Sequence, residues 1–264
     1  HIQMAPKTSN SILQPSDLFT NYYAVKSSNP TRQSKVFNTS KQSRSYVTGQ
    51  KGMSVKKFAV LDDAINFITG IVPSSVDYKL IGMDKTDFEQ KYKVTIDNFF
   101  TKCCNVYCDG STLGNGTGVA RTGYGVYFET EPENNISERL KVGAQTNTRG
   151  ELKAISSALD KIWNNLTEQK DKINYKIKTD SEHTAKLLND IYGCYSEEHL
   201  LTLRNADLIV PMVKKYAKVK KYYEINEDCF TNNGNFSIEW VKAHSGNSGN
   251  NMADKLARRG AAKP

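Results

Sequence analysis

The chain has 264 residues, 38% of them hydrophobic and 24% charged, enough for two domains and a sizeable core. No apolar run reaches the roughly 18–20 residues of a membrane-spanning helix, and the composition excludes collagen, coiled coil and full disorder. The net charge of +8 is concentrated at the front, where residues 1–70 hold nine Lys and Arg against three Asp.

Residues 1–19 read as a disordered tail, with His1-Ile2-Gln3 ahead of Met4 as an expression-vector remnant. There is no secretory apolar segment and no Arg-rich amphipathic leader. Tyr22 to Val25 is a short β-prone run, Asn29-Pro30 a turn, and Val36-Phe37-Asn38 a second strand. Thr39 is placed to cap a helix from Lys41 to Tyr46, and Lys56 to Ala59 is a third strand. Asp62 then reads as the N-cap of a helix with Ala64, Ile65 and Ile68 on one face. The result is a ββαβα module over residues 20–69. Between Leu18 and Leu61 it has eight bases and no acid, interleaved with aromatics, a pattern suited to a polyanion with bases to stack. Residues 70–102, opened by Pro73-Ser74-Ser75, show no clean period and read as a linker with one short helix.

From residue 103 to 264 the pattern changes to a second domain. Asn105 to Asp109 is a strand ending on a carboxylate, and Gly110 to Arg121 is turn-rich. Gly123 to Glu129 and Arg139 to Val142 are further strands. Leu152, Ile155, Leu159, Ile162 and Leu166 recur every three or four residues, the apolar face of a long helix that Glu151 opens. Tyr175 to Thr179 is a strand running into Asp180, and His183 to Tyr192 a helix. Leu208 to Val219 is a helix that Pro211 kinks or begins, and Phe236 to Val241 is a strand. Met252 to Arg259 is a helix with Met252, Ala253, Leu256 and Ala257 inward and Asp254 in its first turns. Three strands followed by alternating helix and strand predict an α/β fold, a mixed sheet with helices on its faces. The five cysteines are odd in number and contain no C-x-x-C pair, against a disulfide framework or structural zinc and in favour of a reducing compartment.

The chemistry resides in acids at element boundaries: Asp109, Glu151, Asp180 and Asp254. Each alone is an ordinary turn, cap or dipole-complementing residue. Converging at one sheet edge, four carboxylates repel one another and call for a cation between them. Mg2+ suits carboxylates plus a substrate phosphate, and two ions about 3.5–4 Å apart can drive a phosphodiester displacement.

The surroundings of these acids are Tyr107-Cys108-Asp109-Gly110-Ser111, Gln145-Thr146-Asn147-Thr148-Arg149-Gly150-Glu151, Thr179-Asp180-Ser181 and the loop His244-Ser245-Gly246-Asn247-Ser248-Gly249-Asn250-Asn251 before Asp254. Together they resemble type 1 ribonuclease H over about 103–264. Transposases and retroviral integrases share the sheet but end on Glu rather than Asp254. The resemblance implies a ribonuclease H-like five-stranded mixed sheet and an endonuclease that cuts the RNA strand of RNA/DNA hybrids, leaving 5′-phosphate and 3′-hydroxyl ends. It makes the four acids ligands of two Mg2+ ions, with Mn2+ a substitute, and His244 a mobile proton-transfer or product-release residue. It puts Ser111, Gln145 and Asn147 near the minor groove and the ribose 2′-OH, and Thr146 and Asn205 in a pocket for a DNA phosphate. Tyr22-Tyr23-Ala24-Val25-Lys26, Val36-Phe37-Asn38-Thr39 and Val55-Lys56-Lys57-Phe58 resemble the α+β hybrid-binding domain of eukaryotic ribonucleases H, which implies hybrid contacts at Tyr23, Lys56 and Lys57.

Three departures stand out. Ser40 replaces a stacking tryptophan, Ala144 replaces a pocket arginine, and the basic protrusion is missing, since residues 189–203 hold Asp190, Glu197 and Glu198. Lys214, Lys215, Lys218, Lys220 and Lys221 are candidate substitutes for that protrusion, and Tyr192 or Tyr195 for a DNA-strand contact. The expected protein is an intracellular monomer of nucleus and/or mitochondrion, with the hybrid as its partner and no membrane; the sequence identifies no protein partner.

Overall fold

The computed structural model describes residues 21–71, 74–95, 97, 99–191 and 196–264. The tail at residues 1–19, Pro73, Tyr192, Cys194 and Tyr195 lie outside these. The elements in chain order are β1 (Tyr22–Ser27), β2 (Lys35–Phe37), α1 (Ser40–Val47), β3 (Met53–Phe58), α2 (Leu61–Thr69), α3 (Ser74–Ile81), α4 (Lys85–Tyr92), β4 (Cys103–Leu113), β5 (Arg121–Phe128) and β6 (Ile136–Arg139). There follow α5 (Asn147–Glu168), β7 (Asn174–Thr179), α6 (Glu182–Lys186), α7 (Glu197–Leu201), α8 (Ala206–Ile225), β8 (Ile238–Trp240) and α9 (Ser248–Ala262). Two compact units result. The first runs to Val76 and takes in Ser196–Thr202; the second begins at Asp77. Among the described residues, no helix is long and apolar enough to cross a membrane.

In the first unit the sheet order is β2-β1-β3, antiparallel throughout. The ββαβα order predicted from sequence is present. The Thr39 hydroxyl caps α1 by accepting from the Gln42 N–H. Asp62 is not the cap of α2: Val60 holds that place without a side-chain bond, and Asp62 lies in the first turn, where its charge complements the helix dipole. Phe58 is fully buried with its ring 5.5 Å from Phe67 of α2 and 5.6 Å from His199 of α7. His199 Nδ1 accepts from the Ala59 N–H, and the Asp63 carboxylate accepts from the Ser196 N–H.

The second unit is a five-stranded sheet ordered β6-β5-β4-β7-β8, with β4, β5 and β6 antiparallel and β4, β7 and β8 parallel. The apolar stripe of α5 (Leu152, Ile155, Leu159, Ile162, Leu166) is essentially fully buried, each side chain stabilising by roughly 1.5–3 kcal/mol relative to exposure. α8 continues past Pro211, which lies in its interior rather than its first turn. The helix predicted over 183–192 is the short α6 continued by one π turn, Leu187–Ile191. Met252 is exposed rather than facing the core; Ala253 and Ala257 carry the buried face of α9.

The expected linker differs most. Residues 74–92 form two helices, α3 and α4. Leu80 and Phe88 are buried, the Phe88 ring lies tilted 6.3 Å from Trp163 of α5 and the Tyr92 ring edge-on to it at 4.8 Å, and Asp77 pairs with the buried Lys221 of α8 at 3.3 Å. Four of the five lysines that could substitute for the protrusion are likewise committed within this unit. Lys215 pairs with Asp160, Lys218 lies over Trp163, Lys220 donates to the Phe236 carbonyl, and Lys221 joins Asp77 and Glu224.

Candidate active site

β4 does not end at Asp109. It continues through Gly110, Ser111 and Thr112 to Leu113, because these residues pair in register with Tyr124, Gly123, Thr122 and Arg121. Asp109 is therefore a mid-strand residue, 7% exposed, with its own carboxylate accepting the Gly110 N–H at 2.8 Å. Gly110 reads from sequence as a point of substrate approach, yet it serves the fold. A Cβ there would lie 2.4 Å from the Glu151 nitrogen and 2.5 Å from the Gly150 carbonyl carbon. The missing side chain lets the second turn of α5 rest on β4 and sets Glu151 beside Asp109. Thr146 caps that helix by accepting the Arg149 N–H, so Glu151 is its fifth residue, not its first.

Asp180 follows the last residue of β7, the neighbour of β4. One carboxylate oxygen from each of Asp109, Glu151 and Asp180 lies within 4.8 Å of the others. Burial, then the Asp180 charge, with smaller contributions from Asp254 and Glu151, pushes the Asp109 carboxyl up to about 8. Burial also raises Glu151, tempered by a Ser181 hydrogen bond. Asn250 of α9, 5% exposed, donates its amide to Asp180 at 3.3 Å, and the Trp240 indole donates to the Asp180 carbonyl at 3.1 Å. These carboxylates open into a cleft of about 250 Å³, whose lining includes Ser111, Asn147, His244, Asp254 and Arg258. Asp254 stands outside the close triad and pairs with Arg258, one turn on, at 3.0 Å. His244 is exposed and takes left-handed backbone, φ 53°, on the loop before α9. Hard oxygen donors converging this closely, with burial and mutual repulsion raising Asp109, fit a divalent cation.

The remaining predicted positions divide. Ser111 and Asn147 line the cleft. Gln145 is engaged elsewhere, accepting from the Thr122 N–H and donating to the Gly143 carbonyl. Thr146 and Asn205 are joined through Arg149, whose guanidinium donates to Asn205 at 3.3 Å and forks onto both Asp207 oxygens at 2.8 and 2.7 Å. Asn205 itself has φ 64° at the start of α8. In the first unit Lys56 and Lys57 are consecutive in β3 and project to opposite faces. Lys57 is opposite Tyr23 in the register, whereas the Lys56 ammonium lies 5.4 Å over Phe67. Arg149, Asn250 and Arg258 do not stand out in the sequence. Asn250 alone leaves a trace there, as a polar residue in the first turn of the acid-bearing helix.

Residues 101–262 match the RNase H family model, and residues 21–68 match the model described as the ribonuclease H1 N-terminal domain. The chain belongs to the ribonuclease H family. It is 54% identical to ribonuclease H of Saccharomyces cerevisiae over 242 residues, covering 92% of this chain and 69% of the yeast protein. It is 36% identical to the Schizosaccharomyces pombe ribonuclease H and 31% identical to ribonuclease H1 of Rattus norvegicus, matching 60% and 59% of this chain. These matches span 53% and 49% of those two relatives' own lengths.

Proposed function

We propose that this chain is an endonuclease hydrolysing the RNA strand of RNA/DNA hybrids with two Mg2+ ions, leaving 5′-phosphate and 3′-hydroxyl ends. The observation that carries the reading is the triad of Asp109, Glu151 and Asp180, with one oxygen of each within 4.8 Å of the others, at the mouth of a polar cleft. These three, with Asp254 at the cleft wall, would hold the ions. When bound, such ions activate water and offset the charge that builds on the phosphate.

The chain's own groups do the positioning. Asn250 orients Asp180, and the close approach of Gly110 to α5 fixes the spacing of Asp109 and Glu151. Ser111 and Asn147, beside the carboxylates, are placed to meet the ribose 2′-hydroxyl, the group that separates RNA from DNA. His244, exposed at the rim, is the group free to carry a proton to the departing 3′-oxygen. Arg149 holds Asn205 and, through the α5 cap, Thr146, supporting a phosphate contact there. The first unit, through Tyr23 and Lys57, grips the hybrid.

End-labelled hybrid, duplex RNA and duplex DNA incubated with Mg2+, Mn2+ or EDTA test this. The expected result is metal-dependent cutting of the hybrid's RNA strand alone, abolished by Asp180→Asn. Cutting that survives EDTA or Asp180→Asn would refute the site. Binding without cutting would make the protein a hybrid-holding scaffold.

A further inference from the structure

Between Leu18 and Leu61 the chain has eight cations and no carboxylate, and the first unit gathers three of them around one cleft. The cleft, about 640 Å³, lies between β2 and α1 and is lined by Arg32, Lys35, Phe37, Lys41 and Tyr46. The two rings touch, centroids 5.2 Å apart and planes at 51°. The Arg32 guanidinium lies 5.0 Å over Tyr46, and the Lys35 ammonium 5.5 Å over Phe37. Among the described residues, no ion pair involves Arg32, Lys35 or Lys41.

Like charges brought together without a counter-ion repel, and an anion from outside relieves that repulsion. The aromatic floor narrows the choice of anion. A cation beside a ring face suits a ligand that carries negative charge and a flat π surface together, which is a nucleotide unit of a strand. The sheet register adds continuity. Tyr23 is opposite Phe37 on one side and Lys57 on the other, so Lys57, Tyr23 and Phe37 stand in one row on one face. With strands about 4.8 Å apart, the row spans about 10 Å and ends at the cleft.

We propose that the β2–α1 cleft is a nucleic-acid subsite of the first unit. It takes a phosphodiester group on Arg32, Lys35 and Lys41, with the attached nucleobase against the Phe37–Tyr46 pair, and so extends the grip of Tyr23 and Lys57 along one strand of the hybrid. The proposal rests on the reading of this chain as a hybrid-binding enzyme.

The test uses the full chain carrying Asp180→Asn, so that bound hybrid is not cut, and follows binding by fluorescence anisotropy across a salt series. The triple substitution Arg32→Gln, Lys35→Gln, Lys41→Gln is compared with Lys79→Gln, Lys85→Gln, Lys170→Gln, exposed lysines of the second unit that remove the same charge. Each phosphate left without its cation lowers the slope of log K against log salt by about 0.9. The cleft triple is expected to flatten the slope by about 0.9, the loss of one phosphate contact, and to weaken binding at least tenfold at low salt. The comparison triple leaves the slope nearly as it was.

Tyr46→Leu removes the ring and is expected to weaken binding by about 5- to 150-fold. Tyr46→Phe gives up only the hydroxyl bond to the Gln33 carbonyl and is expected to bind like its parent. If the two triples give equal slopes and affinities, or Tyr46→Leu binds like its parent, the subsite is overturned while the enzyme reading stands. If the parent does not bind hybrid at all, the enzyme reading fails first.

Discussion

Gly110→Ala is the sharpest perturbation of the site that leaves every carboxylate in place. A methyl group at this position would lie 2.4 Å from the Glu151 nitrogen, 2.5 Å from the Gly150 carbonyl carbon and 2.8 Å from the Asn147 carbonyl oxygen. All three atoms are backbone of α5, so no side-chain rotation relieves the overlap. Carbon atoms in van der Waals contact settle near 3.5–4.0 Å, so β4 and α5 must part by about 1 Å. The φ of Gly110 is outside the left-handed region, so alanine is strained there by crowding alone. Overpacking of this kind costs about 1–3 kcal/mol. In a unit of this size it should lower Tm by about 2–12 °C. The chemical consequence is larger, because parting β4 from α5 moves Glu151 away from Asp109. A 1 Å misplacement costs about 100-fold in rate. The assay pairs thermal unfolding with kcat on a labelled hybrid at 25 °C, where the variant remains folded. Gly118→Ala, with no atom within 4 Å of the added carbon, serves as the neutral comparison. If Gly110→Ala keeps both the parental Tm and the parental kcat, the close packing of β4 on α5 does not set the site.

With burial and the Asp180 charge pushing the Asp109 carboxyl up to about 8, a metal ion bound there would displace a proton below that pH. Metal affinity should rise with pH up to about 8 and level off above, with proton release visible by calorimetry in buffers of different ionisation enthalpy; pH-independent affinity would refute it. The same raised value means that metal-free protein loses Asp109's contribution to stability as pH rises from about 4 through about 8, since the folded state there binds more protons than the unfolded state. Phe88→Ala should destabilise the second unit by about 3–5 kcal/mol, because Phe88 is fully buried. A loss under about 1 kcal/mol in urea unfolding would return α3 and α4 to the status of a linker. Arg149→Lys keeps the charge but gives up the two-pronged bond to Asp207, and should raise KM for the hybrid several-fold with little change in kcat; an unchanged KM would show that Asn205 needs no such support.

What is legible in the sequence follows from how locally each feature is determined. The carboxylates are readable because Asp180 ends a β-branched, aromatic run and Glu151 precedes an unbroken apolar stripe. The end of β4 is not. Gly110, Ser111 and Thr112 carry turn composition, and only their pairing with Thr122–Tyr124, together with the helix lying on Gly110, keeps them extended. A glycine used for close packing and a glycine used for turning look alike in one dimension. β6 is an edge strand with little alternation, Ile136–Arg139, and the sequence pattern places it three residues late for that reason. α3 and α4 escape sequence reasoning because their few anchors, Leu80 and Phe88, make no repeating face of their own, and Phe88 meets the distant Trp163.

The same distinction separates the carboxylates that could hold a metal from the residues that hold the site together. Asp180 is recognisable by residue type at a strand end, Glu151 by the apolar stripe it precedes, and Asp109 by the apolar run that leads into it. Arg149 is not, since its partners Asn205 and Asp207 lie 56 and 58 residues away in the chain. The guanidinium is nearly buried, with its Nε lacking a hydrogen-bond partner, while Asp207 remains more than half exposed. A buried cation tied to a solvated anion gains little as a surface pair. Its effect is to fix where Asn205 and the capped start of α5 stand relative to each other. Glu151 follows one turn after that start, so the support for the proposed phosphate contact and the support for the carboxylates that could hold a metal share one helix end. A substitution at Arg149 should therefore disturb hybrid affinity first and, only if the cap itself gives way, the chemistry.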